Sequence, residues 1–109
     1  MNKGDIHWIE FMSFKGHEQK GFRPAIILSK ETANLVIVIP LTTKIQAKKY
    51  DHSIEINPSQ KNKLNETSIA MVFQLRAVDK KKIKNKIGEI DKEVLEDIET
   101  NIKEILKLK

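Results

Sequence analysis

The chain is organised around residues 16–28, which read Gly-His-Glu-Gln-Lys-Gly-Phe-Arg-Pro-Ala-Ile-Ile-Leu. Gly16 and Gly21 frame a charged tetrapeptide and permit backbone torsions and close approaches that a Cβ would resist. Pro24 fixes its own φ and biases Arg23 toward extended geometry. The apolar, partly β-branched run that follows is typical of a buried strand. The stretch therefore predicts a rigid strand that presents the Arg23 guanidinium, beside a polar loop, to an anionic ligand.

Length and composition restrict the class of protein. We assign residues 1–109 to a single domain. The lack of cysteine excludes disulfides and thiolate metal sites, and the three histidines are far apart in sequence, so we predict no metal and no cofactor. The formal net charge of +5 favours an anionic partner such as nucleic acid. No apolar run approaches membrane-spanning length and no signal peptide is visible, so we expect a cytoplasmic protein without a membrane partner.

Runs of β-forming residues predict five or six short strands. The clearest of them cover residues 5–11, 23–30, 35–39, 52–56 and 67–75. Proline is disfavoured in a central strand, so pairing should break at Pro40. We assign Trp8 and Phe11 of the first strand to the core.

Alternate side chains of the predicted strand over residues 67–75 indicate two faces. The face expected in the core comprises Ile69, Met71, Phe73 and Leu75. Gln74 and Arg76 point to the opposite face, where they can look into a cleft.

The remaining segments are turns and one helix. Residues 44–50 are interpreted as a basic loop with a helical turn. Residues 79–86 hold five lysines, and Ile83 and Ile87 are four apart, which indicates one or two helical turns. The last segment is an amphipathic helix with Asp91 as N-cap. Its apolar stripe comprises Val94, Leu95, Ile98, Ile102, Ile105 and Leu106.

These elements predict a mainly β fold with α. Short strands followed by a helix indicate a small, strongly curved antiparallel sheet, or half-open SH3-like barrel, with the C-terminal amphipathic helix packed against it.

Four motifs and the terminal helix resemble the MazF/PemK family of toxin endoribonucleases from bacterial toxin–antitoxin pairs. The resemblance covers nearly the whole chain, and the order and spacing of the motifs add to it. The motifs are Gly4-Asp5-Ile6-His7-Trp8, the Gly-x-Glu-Gln-x-Gly-x-Arg-Pro block at residues 16–24, Val38-Ile39-Pro40-Leu41-Thr42-Thr43, and Gln74-Leu75-Arg76-Ala77-Val78-Asp79.

The resemblance implies a homodimeric small β-barrel that cleaves single-stranded RNA at short sequence motifs without a metal. The neighbouring 2′-hydroxyl attacks, so the products are a 2′,3′-cyclic phosphate and a 5′-hydroxyl. The family's catalytic arginine, threonine and loop glutamate fall on Arg23, Thr42 and Glu18. An acidic, MazE-like antitoxin peptide is the implied protein partner.

Seven further side chains are assigned to RNA binding. They are His17, Gln19, Lys20, Thr43, Lys44, Gln74 and Arg76. Plainer interpretations stand beside these assignments. Arg23 could form a surface salt bridge, Thr42 could cap the turn after Pro40, and the loop residues could be merely solvated.

The chain departs from the apparent family at His17, where many members carry a small hydroxyl residue. Imidazole is the commonest general acid–base group, so His17 could take the 2′-hydroxyl proton or contact a base. The alternative is an exposed loop histidine. Residues 44–53 also differ, and the recognised bases stay open.

Two other functions remain open at this point. A CcdB-like gyrase poison shares the fold, but such proteins depend on a C-terminal Trp-Gly-Ile, and this chain ends Leu-Lys-Leu-Lys. A non-catalytic RNA-binding barrel is the second alternative.

Overall fold

The computed structural model describes residues 1–11 and 21–108, which form seven strands and one α-helix. The strands are β1 (Asp5–Phe11), β2 (Gly21–Ile27), β3 (Leu35–Thr42), β4 (Ser53–Ile56), β5 (Ser68–Met71), β6 (Arg76–Asp79) and β7 (Ile83–Glu89). The helix α1 covers Lys92–Leu106, and 3₁₀ turns lie at Ile45–Lys49, Val72–Gln74 and Lys80–Lys82. The predicted mainly β fold with a C-terminal helix is confirmed.

The strands form one curved antiparallel sheet in the order β4-β5-β3-β2-β1-β7, with β6 paired to the first half of β3. The sheet is open, since its end strands β4 and β7 do not pair with each other in the described part of the chain. The predicted half-open sheet is therefore confirmed, with seven strands instead of five or six.

Both faces of the central strands are buried. Ile26 belongs to a core that includes Ile98 of α1, whereas its neighbours Ala25 and Ile27 belong to a second core on the other face. Successive side chains of a strand point to opposite faces, so a strand covered on both sides needs a continuous apolar run. Residues 25–27 of β2 and 38–41 of β3 are buried on both faces in this way, whereas Leu35 and Ile37 at the start of β3 are exposed.

Pro40 does not end its strand, contrary to the sequence-based expectation. β3 continues to Thr42, and Pro40 pairs with Ala25 of β2. On the other edge of β3 the partner strand changes at this point. β6 pairs with β3 only as far as Val38, and the pairing of β3 with β5 starts at Leu41. The proline therefore stands at an interruption of the ladder, where its missing N–H is tolerated.

The prediction of one strand over residues 67–75 was wrong beyond Met71. All four side chains of β5 are buried, and a 3₁₀ turn then rotates the chain before β6. The turn breaks the alternation, so Phe73 and Leu75 are 40% and 38% exposed instead of lying in the core.

The helical turns predicted for residues 79–86 occur only at Lys80–Lys82, and the rest of the segment enters β7. Ile83 packs against the second core and Ile87 against the core that contains Ile98, and the pairing of β7 with β1 has register shifts along this stretch. The spacing of four therefore does not reflect one shared apolar face.

The helix α1 begins where it was predicted, with Asp91 at the N-cap position. The Asp91 carboxylate makes no capping bond and instead accepts a hydrogen bond from Ser59 Oγ at 2.9 Å. Within residues 1–11 and 21–108, α1 is too short and too polar to span a bilayer, and no other helix there could do so.

Candidate functional site

Arg23 and Thr42 lie at the facing ends of two adjacent strands. β2 and β3 are in register with Ala25 opposite Pro40, so two further residues along each strand bring Arg23 opposite Thr42 on the same face. The backbone pairing of β2 with β3 ends at Ala25 and Pro40, whereas on its other edge β3 pairs with β5 through Leu41 and Thr42. The predicted pairing of the two side chains at neighbouring strand ends agrees with this geometry.

Both side chains line one cleft of about 510 Å³, which we call the Arg23 cleft. It is lined by Arg23, Thr42, Lys44, Gln46, Ala47, Lys49, Tyr50, Met71 and Gln74. Four residues assigned from sequence are thus brought together: Arg23, Thr42, Lys44 and Gln74. Sequence reasoning did not assign Gln46, Lys49 and Tyr50 to the site, although the basic character of their segment was a signal.

The Thr42 hydroxyl combines a structural role with a free donor. Its Oγ1 accepts a hydrogen bond from the Lys44 backbone N–H at 3.2 Å, as the capping interpretation expected. A hydroxyl that accepts in this way still has its own O–H to donate. Thr42 can therefore hold the turn and donate into the cleft at once.

Arg76 lies beside the cleft and does not line it. Its Nη2 donates to Gln74 Oε1 at 3.1 Å, and its guanidinium lies 5.1 Å from the centroid of the Phe11 ring. Because a guanidinium only donates, the Gln74 oxygen is turned to Arg76 and the amide NH₂ is left to other partners. Arg76, which was assigned to RNA binding from sequence, therefore lies next to Gln74 and outside the lining of the cleft, and its contact with RNA stays a prediction.

A second cleft of about 340 Å³, here called the Trp8 cleft, shares three of these residues. It is lined by Trp8, Phe22, Arg23, Pro24, Leu41, Thr42, Thr43, Lys44 and Ser68. Thr43, assigned from sequence, therefore lies beside Thr42 on this side.

Trp8 is not a core residue, contrary to prediction. It is 41% exposed, because α1 covers Ile6 on the same face of β1 and leaves Trp8 uncovered. The sequence pattern did not show that Trp8 and Phe22 are exposed and not buried.

The clefts are electropositive. Their linings include Arg23, Lys44 and Lys49, and no Asp or Glu among the described residues lines either cleft. None of the three cations forms a salt bridge within residues 1–11 and 21–108, although Lys49 Nζ lies 5.2 Å from the Tyr50 ring centroid. Such a surface is suited to an anionic ligand that also offers ring faces.

Four assigned residues lie outside the described part of the chain: His17, Glu18, Gln19 and Lys20. Gly21, which follows that segment, has no positive φ, and among the described residues a Cβ there would meet nothing within 4 Å.

The described histidines have structural partners. His7 Nδ1 lies 2.8 Å from the Lys84 carbonyl oxygen, and His52 Nδ1 lies 3.0 Å from Asn101 Oδ1. Over residues 1–11 and 21–108, His, Asp and Glu side chains form no group of three that could hold a metal ion.

Comparison with known proteins places these features in a family. The model of PemK-like, MazF-like toxins of type II toxin–antitoxin systems matches residues 2–106. The chain is 30% identical over 106 residues to the endoribonuclease MazF of Staphylococcus saprophyticus, an alignment that covers 94% of this chain and 88% of that protein.

Solved structures share the fold at lower identity. The MazE–MazF structure from Deinococcus radiodurans matches with a TM-score of 0.77 and 23% identity, covering 100% of this chain and 97% of that one. A mycobacterial endoribonuclease in complex with its cognate antitoxin matches with a TM-score of 0.68 and 16% identity, covering 98% and 93%. By the extent of the family match and of the relative's alignment, the chain belongs to the PemK-like, MazF-like toxins of type II toxin–antitoxin systems.

Proposed function

We propose that this toxin is a metal-independent endoribonuclease that cleaves single-stranded RNA at a short sequence motif. The observation that carries the proposal is the convergence of Arg23 and Thr42, from two strand ends, in a cleft lined by cations and by no described carboxylate. A relative that is 30% identical is named an endoribonuclease, which supports the same activity.

Cleavage by a neighbouring 2′-hydroxyl has three requirements. The hydroxyl must lose a proton, the extra negative charge on phosphorus must be stabilised, and the leaving 5′-oxygen must gain a proton. The Arg23 guanidinium suits the second task, because its planar fork binds two phosphate oxygens. Thr42 can donate a further hydrogen bond, and one preorganised donor of this kind contributes about 3 kcal/mol.

Proton transfer is assigned to the loop before β2. A guanidinium with a pKa above ~12 is a poor proton shuttle near neutrality. Glu18 remains the proposed catalytic carboxylate, and His17 either shares the proton transfer or contacts a base. The expected products are a 2′,3′-cyclic phosphate and a 5′-hydroxyl.

Substrate binding extends over both clefts. Thr43, Lys44 and Gln74 lie beside the two catalytic side chains and are proposed to bind RNA, with Gln19 and Lys20 contributing from the loop. The orientation of Gln74 leaves its NH₂ group for an acceptor, such as a carbonyl oxygen or ring nitrogen of a base.

The test is to incubate the purified protein with a long RNA in EDTA and to map the new 5′ ends. We expect cuts at one short motif, 5′-hydroxyl termini that a kinase can label directly, and no cuts with an Arg23→Ala/Thr42→Ala double variant. RNA binding without cleavage would instead support a non-catalytic barrel. Cleavage that stops in EDTA would contradict metal independence.

We propose a homodimer formed through an apolar face. Leu35 and Ile37 point outward from β3, Leu75 precedes the paired strand β6, and Phe73 contacts Tyr50 with ring centroids 5.3 Å apart. An exposed apolar face of this kind favours burial against a second copy. The dimer should be visible by light scattering, and Ile37→Lys should yield monomer.

The proposed protein inhibitor is an acidic, flexible antitoxin segment. The complexes of two structural relatives with MazE or a cognate antitoxin support such a partner. The charge of +5 and the cation-lined clefts should attract an acidic peptide across the RNA site, where it orders on binding. Inhibition should then be competitive with RNA, and an antitoxin that leaves RNA binding unchanged would contradict the shared site.

A further inference from the structure

A third cleft continues the line of the first two. It has a volume of about 480 Å³ and is lined by Trp8, Phe22, Lys84 and Asn85. Trp8 and Phe22 also line the Trp8 cleft, just as Arg23 and Thr42 line both the Trp8 cleft and the Arg23 cleft. Each cleft therefore shares lining residues with the next, and we call this series, which runs from Tyr50 and Lys49, past Arg23 and Thr42, to Lys84, the path.

The path crosses from one face of the sheet to the other. Arg23 is paired with Ile9, so it points to the face of the second core, whereas Trp8 is paired with Pro24 and points to the opposite face. The pairing of β2 with β3 ends at Ala25 and Pro40, and Arg23 and Thr42, which follow beyond that pair, line both clefts. An extended ligand that contacts Arg23 can therefore pass the strand ends and reach Trp8.

The far end of the path has the properties of a stacking surface. Trp8 is 41% exposed and Phe22 is 58% exposed, and no Asp or Glu of the described chain lines this cleft. Lys84 adds one cation, and its ammonium donates only to the Lys81 carbonyl oxygen among the described groups. Aromatic faces alternating with cations match single-stranded nucleic acid, in which stackable bases alternate with phosphates.

We propose that Trp8 and Phe22 form a base-stacking subsite for a nucleotide of the same RNA strand, beyond the phosphate held by Arg23, with Lys84 contacting a phosphate of that nucleotide. This inference rests on the proposed function, since it takes RNA as the ligand of the Arg23 cleft. A peptide fits less well than RNA. The rings of Trp8 and Phe22 need a flat ligand ring to stack on, at a fixed distance from the ligand's negative charges, and RNA bases and phosphates provide this.

Trp8 is the only tryptophan of the chain, so its fluorescence reports on this subsite alone. The probes are 2′-O-methyl RNA oligonucleotides, which lack the attacking hydroxyl, centred on the cut site found by 5′-end mapping. A four-nucleotide probe should bind without quenching Trp8, whereas a ten-nucleotide probe should quench it. One abasic position, stepped through the longer probe, should abolish the quenching.

Variants test the affinity that the subsite contributes. Phe22→Ala and Trp8→Ala should each weaken the ten-nucleotide probe by about 5- to 150-fold and leave the four-nucleotide probe unchanged, as expected for the loss of one base stack. Phe22→Tyr and Trp8→Phe should retain affinity within about threefold because an aromatic ring remains. Leu106→Ala is the matched control, since Leu106 is also 58% exposed but lies outside the three clefts.

The outcomes separate this inference from the proposed function. Normal cleavage by Phe22→Ala, with unchanged affinity for both probes and no Trp8 quenching in the wild type, overturns the subsite and leaves the endoribonuclease standing. Quenching of Trp8 by a ten-nucleotide 2′-O-methyl RNA of mixed sequence, with no cleavage of unmodified long RNA, supports the subsite and overturns the enzyme. Poly-glutamate that quenches Trp8 as strongly as the oligonucleotide overturns base stacking, because that polymer carries charge without bases.

Discussion

The end of the sheet that carries Arg23 and the end that carries Gly88 treat charged groups in opposite ways. Around Gly88, Lys86 Nζ lies 3.0 Å from Glu89 and 3.4 Å from the buried Asp5. At the other end, Arg23 and Lys44 have no carboxylate partner among the residues that the structure describes. Cations without partners contribute little to stability, so their clustering at a cleft indicates a role in ligand binding.

Packing around the glycine is also tighter at the Gly88 end than at the Arg23 end. A Cβ on Gly88 would clash with the Asn62 carbonyl oxygen, whereas a Cβ on Gly21 would meet no described residue within 4 Å. Asn62 is fully buried, and its side-chain oxygen accepts from the backbone N–H groups of Ser59 and Leu64 at 2.9 Å each. The backbone around Gly88 is closely packed and Asn62 is paired within the chain, although Gly88 also lines a cleft of about 430 Å³ together with Lys61 and Lys63. At the other end, Arg23 and Thr42 line clefts that contain no described carboxylate.

Removing the guanidinium should have the largest effect. Arg23→Ala should lower kcat/KM for RNA by about 10²- to 10³-fold, because a preorganised donor to the transition-state phosphate is lost. The melting temperature should stay within about 2 °C, since Arg23 is exposed. Lys86→Ala is the matched control at the Gly88 end, and it should leave kcat/KM unchanged. An equal loss of activity in both variants would show that the two ends do not differ.

A methyl group added to a glycine should destabilise the protein at the Gly88 end and have little effect at Gly21. Gly88→Ala forces a Cβ against the Asn62 backbone, so we expect a loss of about 3 kcal/mol in the free energy of unfolding. Gly21→Ala, the same change at the Arg23 end, should alter it by less than about 1 kcal/mol. Urea titrations of both variants give the two values. Equal stability of the two variants would contradict the packing contrast.

The salt dependence of RNA binding should separate the two sets of lysines. Each phosphate contact on a single strand contributes about −0.7 to the slope of log K against log salt. Lys44→Ala and Lys49→Ala should each make the slope shallower by about that amount. Lys3, which is paired with Glu99 at 2.6 Å, supplies the control, and Lys3→Ala should leave the slope unchanged. A uniform effect of all three substitutions would indicate attraction by net charge alone.

The smallest effect concerns pH. The hydrogen bond with Glu89, followed by the nearby Asp5 charge, raises the pKa of Lys86 above its ordinary value. A raised folded-state pKa stabilises the fold while the unfolded lysine is still protonated, below about pH 10.4, and this contribution is lost as pH rises through the folded value. Lys86→Met should therefore lose slightly less stability than wild type between about pH 9.5 and 11.5. Chemical denaturation at each pH measures the free energy of unfolding of both proteins. Parallel curves of stability against pH would show that the Lys86–Glu89 pair does not contribute.

The local sequence pattern was sufficient to predict most strands and the helix, because the periodicity of each of these segments fitted only one type of secondary structure. β1 and α1 lie where they were predicted, and residues 25–27 of β2 and 38–41 of β3 are buried on both faces. It failed where an irregular strand puts Ile83 and Ile87 against different cores, and where a turn interrupts a strand, as at Val72–Gln74. Neither a spacing of four residues nor an alternating apolar run indicates where such an irregularity or turn occurs.

By itself the sequence determined the fold class, the family motifs and the residue types of the site, including Arg23 and Thr42, because these depend on local propensity and on spacing along the chain. Only the tertiary structure decided which side chains share a cleft. The exposure of Trp8 depends on where α1 ends its cover of β1, and the place of Arg76 next to Gln74 depends on the turn after β5. Contacts of this kind join residues far apart in the chain, so no local pattern specifies them.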